Sequence, residues 1–77
     1  MITNRHILRR LRFEYPLATI KLVQKRGSDS GVLYFIANCT DAVRNRAKEL
    51  QEKAILFNAH LALEHRKSTR DWWKIQS

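Results

Sequence analysis

Arg5, Arg9 and Arg12 recur at intervals of four and three residues near the start of the chain, with Arg10 standing among them. A guanidinium group offers two parallel N–H donors to two oxygens of one phosphate, and each phosphate neutralised releases counterions, so arginines at this spacing suit a phosphate backbone. Lys21, Lys25 and Arg26 follow in the next segment, and Arg66, Lys67, Arg70 and Lys74 lie near the end. These residues form the candidate nucleic-acid-binding set. The competing reading is a solvated basic face that keeps a small protein from associating.

Aromatic residues accompany the cations. Tyr34 and Phe35 are neighbours in an apolar run, so on a strand one of them points outward, where a base can stack; the alternative is a strand covered on both sides with both rings in the core. Trp72 and Trp73 lie between Arg70 and Lys74. On a helix adjacent residues diverge by about 100°, which sends at least one tryptophan to a core or an interface, and the pair is a candidate partner anchor.

Catalytic and metal chemistry find little support. His60 and His65 are about 140° apart around a helix, a poor arrangement for one ion, and His6 sits among arginines that repel a cation. The chain has one cysteine, Cys39, so no internal disulfide and no cysteine-paired zinc site is available. The segment from Gly27 to Gly31 lacks the pattern of a phosphate-binding loop, and Glu49 and Glu52 have lysine neighbours that explain them as a solvated helix face. No enzyme, no metal and no cofactor are expected.

These residues need elements to position them. Between Thr3 and Tyr15 the apolar Ile7, Leu8, Leu11 and Tyr15 oppose the arginine stripe, which predicts an amphipathic helix over 3–15, capped at Thr3 or Asn4 and ended by Pro16. From Leu17 the period changes to two. Ala18, Ile20, Leu22 and Gln24 alternate with Thr19, Lys21, Val23 and Lys25, a half-buried strand with a basic outer face. The Gly27-Ser28-Asp29-Ser30-Gly31 segment predicts the turn of a β-hairpin over 17–38. The return strand, Val32 to Asn38, is apolar until its end, so both of its faces are covered or available to a ligand.

The segment 41–66 has no Gly or Pro, and Val43, Ala47, Leu50, Ala54, Phe57 and Leu61 step by four and three, which predicts one long helix. Its later half adds a second apolar stripe of Ile55, Leu56, Ala59, Ala62 and Leu63. At 1.5 Å per residue this helix spans about 39 Å, so it either bends near Asn58 or projects its C-terminal half. The second option is favoured and implies a homodimer through that second stripe. Residues 67–77 form a basic, Trp-containing tail with room for a short terminal helix.

The 77 residues carry 15 Lys and Arg against 7 Asp and Glu, a net charge of +8. The length allows one small domain with little space for a deep catalytic pocket. No apolar run approaches the ~18 residues of a membrane span, and no leader is recognisable, so a cytoplasmic location is expected. The sequence therefore predicts a single α+β domain of order α-β-β-α, its hairpin packed against a long C-terminal helix. The expected function is non-enzymatic nucleic-acid binding, DNA or RNA, of the kind used by small viral or prophage-type regulators. The alternative is an inhibitor or adaptor that docks its basic, Trp-containing surface on an acidic protein.

Overall fold

The computed structural model describes residues 1–24, 26, 31–64 and 69–75. Its element order is α1 (Asn4–Glu14), β1 (Thr19–Gln24), β2 (Gly31–Ala37), α2 (Asp41–Glu64) and a 3₁₀ turn (Trp72–Lys74). This is the expected α+β domain, with the long helix following the hairpin. The turn residues 27–30 and Lys25, His65, Arg66, Lys67 and Ser68 lie outside the described residues.

α1 begins where Thr3 adopts an extended conformation and its backbone N–H donates to His6 Nδ1 at 3.1 Å, one half of a capping-box arrangement. It ends at Tyr15, whose backbone is no longer helical because Pro16 follows. Ile7, Leu8 and Leu11 are buried, as their spacing requires.

β1 and β2 pair antiparallel, Lys21 opposite Tyr34 and Leu22 opposite Leu33. A bulge between Thr19 and Ile20 leaves Ile36 without a partner. Ile20, Leu22, Leu33 and Phe35 face the core, whereas Lys21, Val23, Val32, Tyr34 and Ile36 face out and are exposed. Strand β2 is thus covered on one side only. Gly31 is buried at the turn end, where a Cβ would lie 2.9 Å from Leu22 Cγ, so any larger residue there would force the Leu22 side chain to shift.

α1 clips the hairpin at both ends. The Asn4 side-chain amide donates to the Gly31 carbonyl, and Arg12 Nη2 donates to the Ile20 carbonyl at 3.0 Å. The helix therefore crosses the inner face from the start of β2 to the start of β1. α2 reaches the sheet through side chains, the Arg44 guanidinium lying 5.6 Å from the Phe35 ring centre.

α2 runs unbroken for 24 residues, about 36 Å at 1.5 Å each, and sets the 38 Å long dimension of the molecule. Val43, Ala47, Leu50, Ala54 and Phe57 are buried along one stripe, with Leu61 half-buried. The helix is not broken at Asn58. The Asn58 side chain instead holds the N-terminal segment, accepting from the Ile2 N–H at 2.6 Å and donating to the Ile2 carbonyl at 3.0 Å. The tail covers a further part of α2, Trp72 being buried and Lys53 Nζ donating to the Ile75 carbonyl at 2.9 Å. One side of the later half of α2 is therefore occupied by the chain's own ends, and the opposite side is bare.

A row of charged groups ties α1 to α2. Glu14 accepts from Arg10 Nε at 2.6 Å and from Arg46 Nε and Nη2 at 2.8 and 3.0 Å, while Arg46 continues to Glu49 at 2.9 Å. The Arg46 hydrogen bonds, with Arg10 adding to them against a desolvation cost, hold the Glu14 carboxyl below the usual carboxylate range. The unfolded chain takes up this proton more readily, so the stabilisation is complete above the unfolded value and is lost as pH falls through the native one. His6 acts in the same direction. Desolvation, then the N-terminal charge, Arg9 and Arg5, lower its pKa, and protonation would remove the Nδ1 acceptor that Thr3 uses. Stability is therefore expected to be level above about pH 7, to fall as His6 titrates below about 6.5, and to fall again as Glu14 titrates in acid. Thermal melts across pH 8 to 4 check this; Glu14→Gln removes the lower step, and a melting temperature that rises on acidification would contradict it.

Candidate nucleic-acid interface

The exposed side of α1 carries Arg5, Arg9, Arg12 and Phe13, and its two flanks carry the buried apolar row and the half-buried His6 and Arg10. Arg5, Arg9 and Phe13 are successive residues of one i, i+4, i+8 row, about 6 Å apart along the axis. Phe13 is 75% exposed, which no packing role explains. Among the described residues Arg5 and Arg9 pair with no carboxylate.

Beside this row α1 and the tail border an open cleft of about 270 Å³. Arg9, Arg10 and His6 form one wall, Thr69 and the two tryptophans the other, and Phe13 stands at the margin. The Arg10 guanidinium lies 4.3 Å from the Trp73 ring centre and 5.0 Å from that of Phe13, while its Nε is held by Glu14. A cation over both rings fixes them relative to each other. Trp72 and Trp73 meet edge to face at 6.2 Å and 87°, so the buried ring of Trp72 backs the half-buried ring of Trp73. His6 Nδ1 accepts from Thr3, which leaves Nε2–H as the donor that the neutral ring can offer.

The expected basic residues divide into groups. Arg5 and Arg9 are exposed on α1; Arg26 is exposed at the turn end of the hairpin, the end that Asn4 clips to the start of α1. Arg70 and Lys74 are exposed on the tail beside the cleft, Lys74 lying 3.8 Å from Asp71. Lys21 stands apart on the outer face of the hairpin, opposite Tyr34. Arg10 and Arg12 have structural bonds, to Glu14 and to the Ile20 carbonyl. Lys25, Arg66 and Lys67 are outside the described residues.

Trp72 is only 4% exposed and anchors the tail to the chain's own core, so it has no surface for a partner; Trp73 retains part of its ring. Ile55, Ala59, Ala62 and Leu63 are exposed and Leu56 is half-buried, which places most of the expected second stripe of α2 in solvent. Phe13, His6 and Thr69 were not among the expected site residues. The signal for Phe13 was present: it continues the Arg5–Arg9 row instead of the apolar stripe. Thr69 reaches the cleft only through the fold of the tail.

Among the described residues no helix is long and apolar enough to cross a membrane, and no three His, Cys, Asp or Glu side chains are grouped to hold a metal ion. The chain matches no protein-family model, no curated protein and no solved structure.

Proposed function

We propose that this protein is a non-enzymatic nucleic-acid-binding protein that seats a phosphate backbone along the exposed face of α1. The observation that carries the reading is the pair Arg5 and Arg9, one helical turn apart, exposed and, among the described residues, without a carboxylate partner, beside a cleft walled by cations and aromatic rings. Arg26 extends this surface past the start of α1, and Arg70 and Lys74 extend it on the tail. A net charge of +8 on 77 residues draws polyanions to it over a distance set by ionic strength. The test is affinity for labelled DNA and RNA across a salt series, since phosphate recognition gives a steep inverse dependence on salt. Its single free cysteine fits a reducing compartment such as the cytoplasm.

A homodimer through α2 accompanies this reading. Residues 55 to 63 contain no Asp, Glu, Lys or Arg in a chain that is 29% charged. Ile55 is 69% and Leu63 82% exposed, and they flank the exposed Ala59 at equal distances of four residues. An antiparallel pairing about Ala59 sets Ile55 against the second copy's Leu63 on both sides of a two-fold axis, with the small residue allowing close approach. Ile55→Asp with Leu63→Asp is expected to yield a folded monomer in light scattering where the parent is a dimer. A monomeric parent at tens of micromolar would remove this interface. The basic adaptor reading is less well served, because of its two candidate anchors Trp72 is buried and Trp73 is half-buried under the Arg10 guanidinium.

A further inference from the structure

We infer that the cleft between α1 and the tail is a pocket for one unpaired nucleotide, which makes single-stranded nucleic acid the preferred ligand; the inference rests on the nucleic-acid-binding reading above. The cleft's volume of about 270 Å³ has room for one base. Its components match the parts of a nucleotide. Phe13 presents an exposed aromatic face at the margin, and a base stacks on such a face irrespective of its identity. Behind that ring the Arg10 guanidinium is fixed by Glu14 and by Trp73, so the platform is held before any ligand arrives.

Arg9 lines the same cleft and has no carboxylate partner among the described residues, which suits it to the nucleotide's phosphate. His6 Nε2–H and the Thr69 hydroxyl supply neutral hydrogen-bonding groups for the edge of a base. Glu14, which bonds the cleft residue Arg10, is neutralised by Arg10 and Arg46 and does not repel the phosphate. A duplex keeps its bases stacked and paired and can present only phosphates here, so the aromatic part of the cleft contributes to single strands alone.

The decisive experiment compares a fluorescein-labelled decathymidylate with a ten-base-pair duplex, for the full chain and for Phe13→Ala and Arg5→Ala, at one fixed salt concentration. The expected result is about tenfold tighter binding of the single strand, a preference that Phe13→Ala reduces to near one. Arg5→Ala should weaken both ligands by the same factor and keep the preference. Equal binding of both oligonucleotides by the parent chain, or a preference unchanged in Phe13→Ala, overturns the pocket and leaves the phosphate-binding reading standing. Binding of neither oligonucleotide overturns both. Thymidine 5′-monophosphate and inorganic phosphate serve as competitors: competition by the nucleotide alone supports the pocket and shows that it accepts a free nucleotide, whereas equal competition by phosphate reduces it to an anion site and overturns it.

Discussion

Arg5→Ala combined with Arg9→Ala is expected to weaken nucleic-acid binding by roughly 100-fold at physiological salt, about tenfold for each charge-assisted contact removed. The slope of log affinity against log salt should fall by about 2, one for each phosphate contact. Both side chains are exposed, and among the described residues neither has a salt bridge, so the fold has little to lose. Arg5 even opposes the dipole of α1 in its first turn, where the helix carries no acidic residue. Lys48→Ala is the control for the loss of a single charge elsewhere on the surface. It removes one exposed cation of α2 that does not line the cleft, and should change affinity by less than twofold. Arg10→Ala is a poor substitute for the double variant, because it breaks the bond to Glu14 and the stack with Trp73 along with any ligand contact. A loss of binding in the Lys48 variant equal, per charge removed, to that in the double variant would mean that only net charge matters.

Trp72→Ala should have the largest effect on stability, about 3–5 kcal/mol, as for other buried large aromatic side chains. The ring is 4% exposed and belongs to the same core as Leu11 and Leu50, both fully buried, so its removal leaves a cavity that α1 and α2 cannot close. For a domain of this length each kcal/mol lowers the melting temperature by about 4–8 °C, which brings the variant to the edge of unfolding at 25 °C. Trp73→Ala should cost distinctly less. Its ring is half-buried and chiefly loses the stack with Arg10, a contact worth about 1 kcal/mol in a partly exposed setting. Thermal melts of the two variants check the order. A larger loss from Trp73 would show that the tail is seated on α2 by the other ring.

Much of the fold is legible in the sequence because it is carried by repetition. α2 shows the same spacing over 24 residues, and the alternation of Ile20 and Leu22 with Lys21 and Val23 fixes which side of β1 meets the core. What the sequence does not show is carried by single residues with distant partners. Ile2 has no periodic neighbour, yet its backbone is bonded to Asn58 and so covers a face of α2 that would otherwise need a bend or a partner. Glu14 and Arg46 are thirty-two positions apart, and only the crossing of α1 and α2 brings them together. Their bond explains why Arg10, the neighbour of Glu14, is a structural residue as well as a cation of the site.

The same distinction holds for the candidate interface. The arginine row of α1 follows from periodicity, and so does the place of Phe13 in it. The cleft does not, because it forms only when the tail returns along α1 and α2 and sets Trp73 against Arg10. The hairpin remains two-stranded among the described residues. A third strand is unnecessary for its inner face, which α1 covers, while the side chains of Asn4 and Arg12 take up a carbonyl on each strand.

The central claim, that the exposed face of α1 holds a phosphate backbone, is tested most directly by the affinity of the purified protein for labelled single- and double-stranded DNA and RNA between 50 and 300 mM salt. The expected result is micromolar or tighter binding near physiological salt, with affinity falling by several powers of the salt concentration. Binding absent at physiological salt, or unaffected by salt where it occurs, would contradict it.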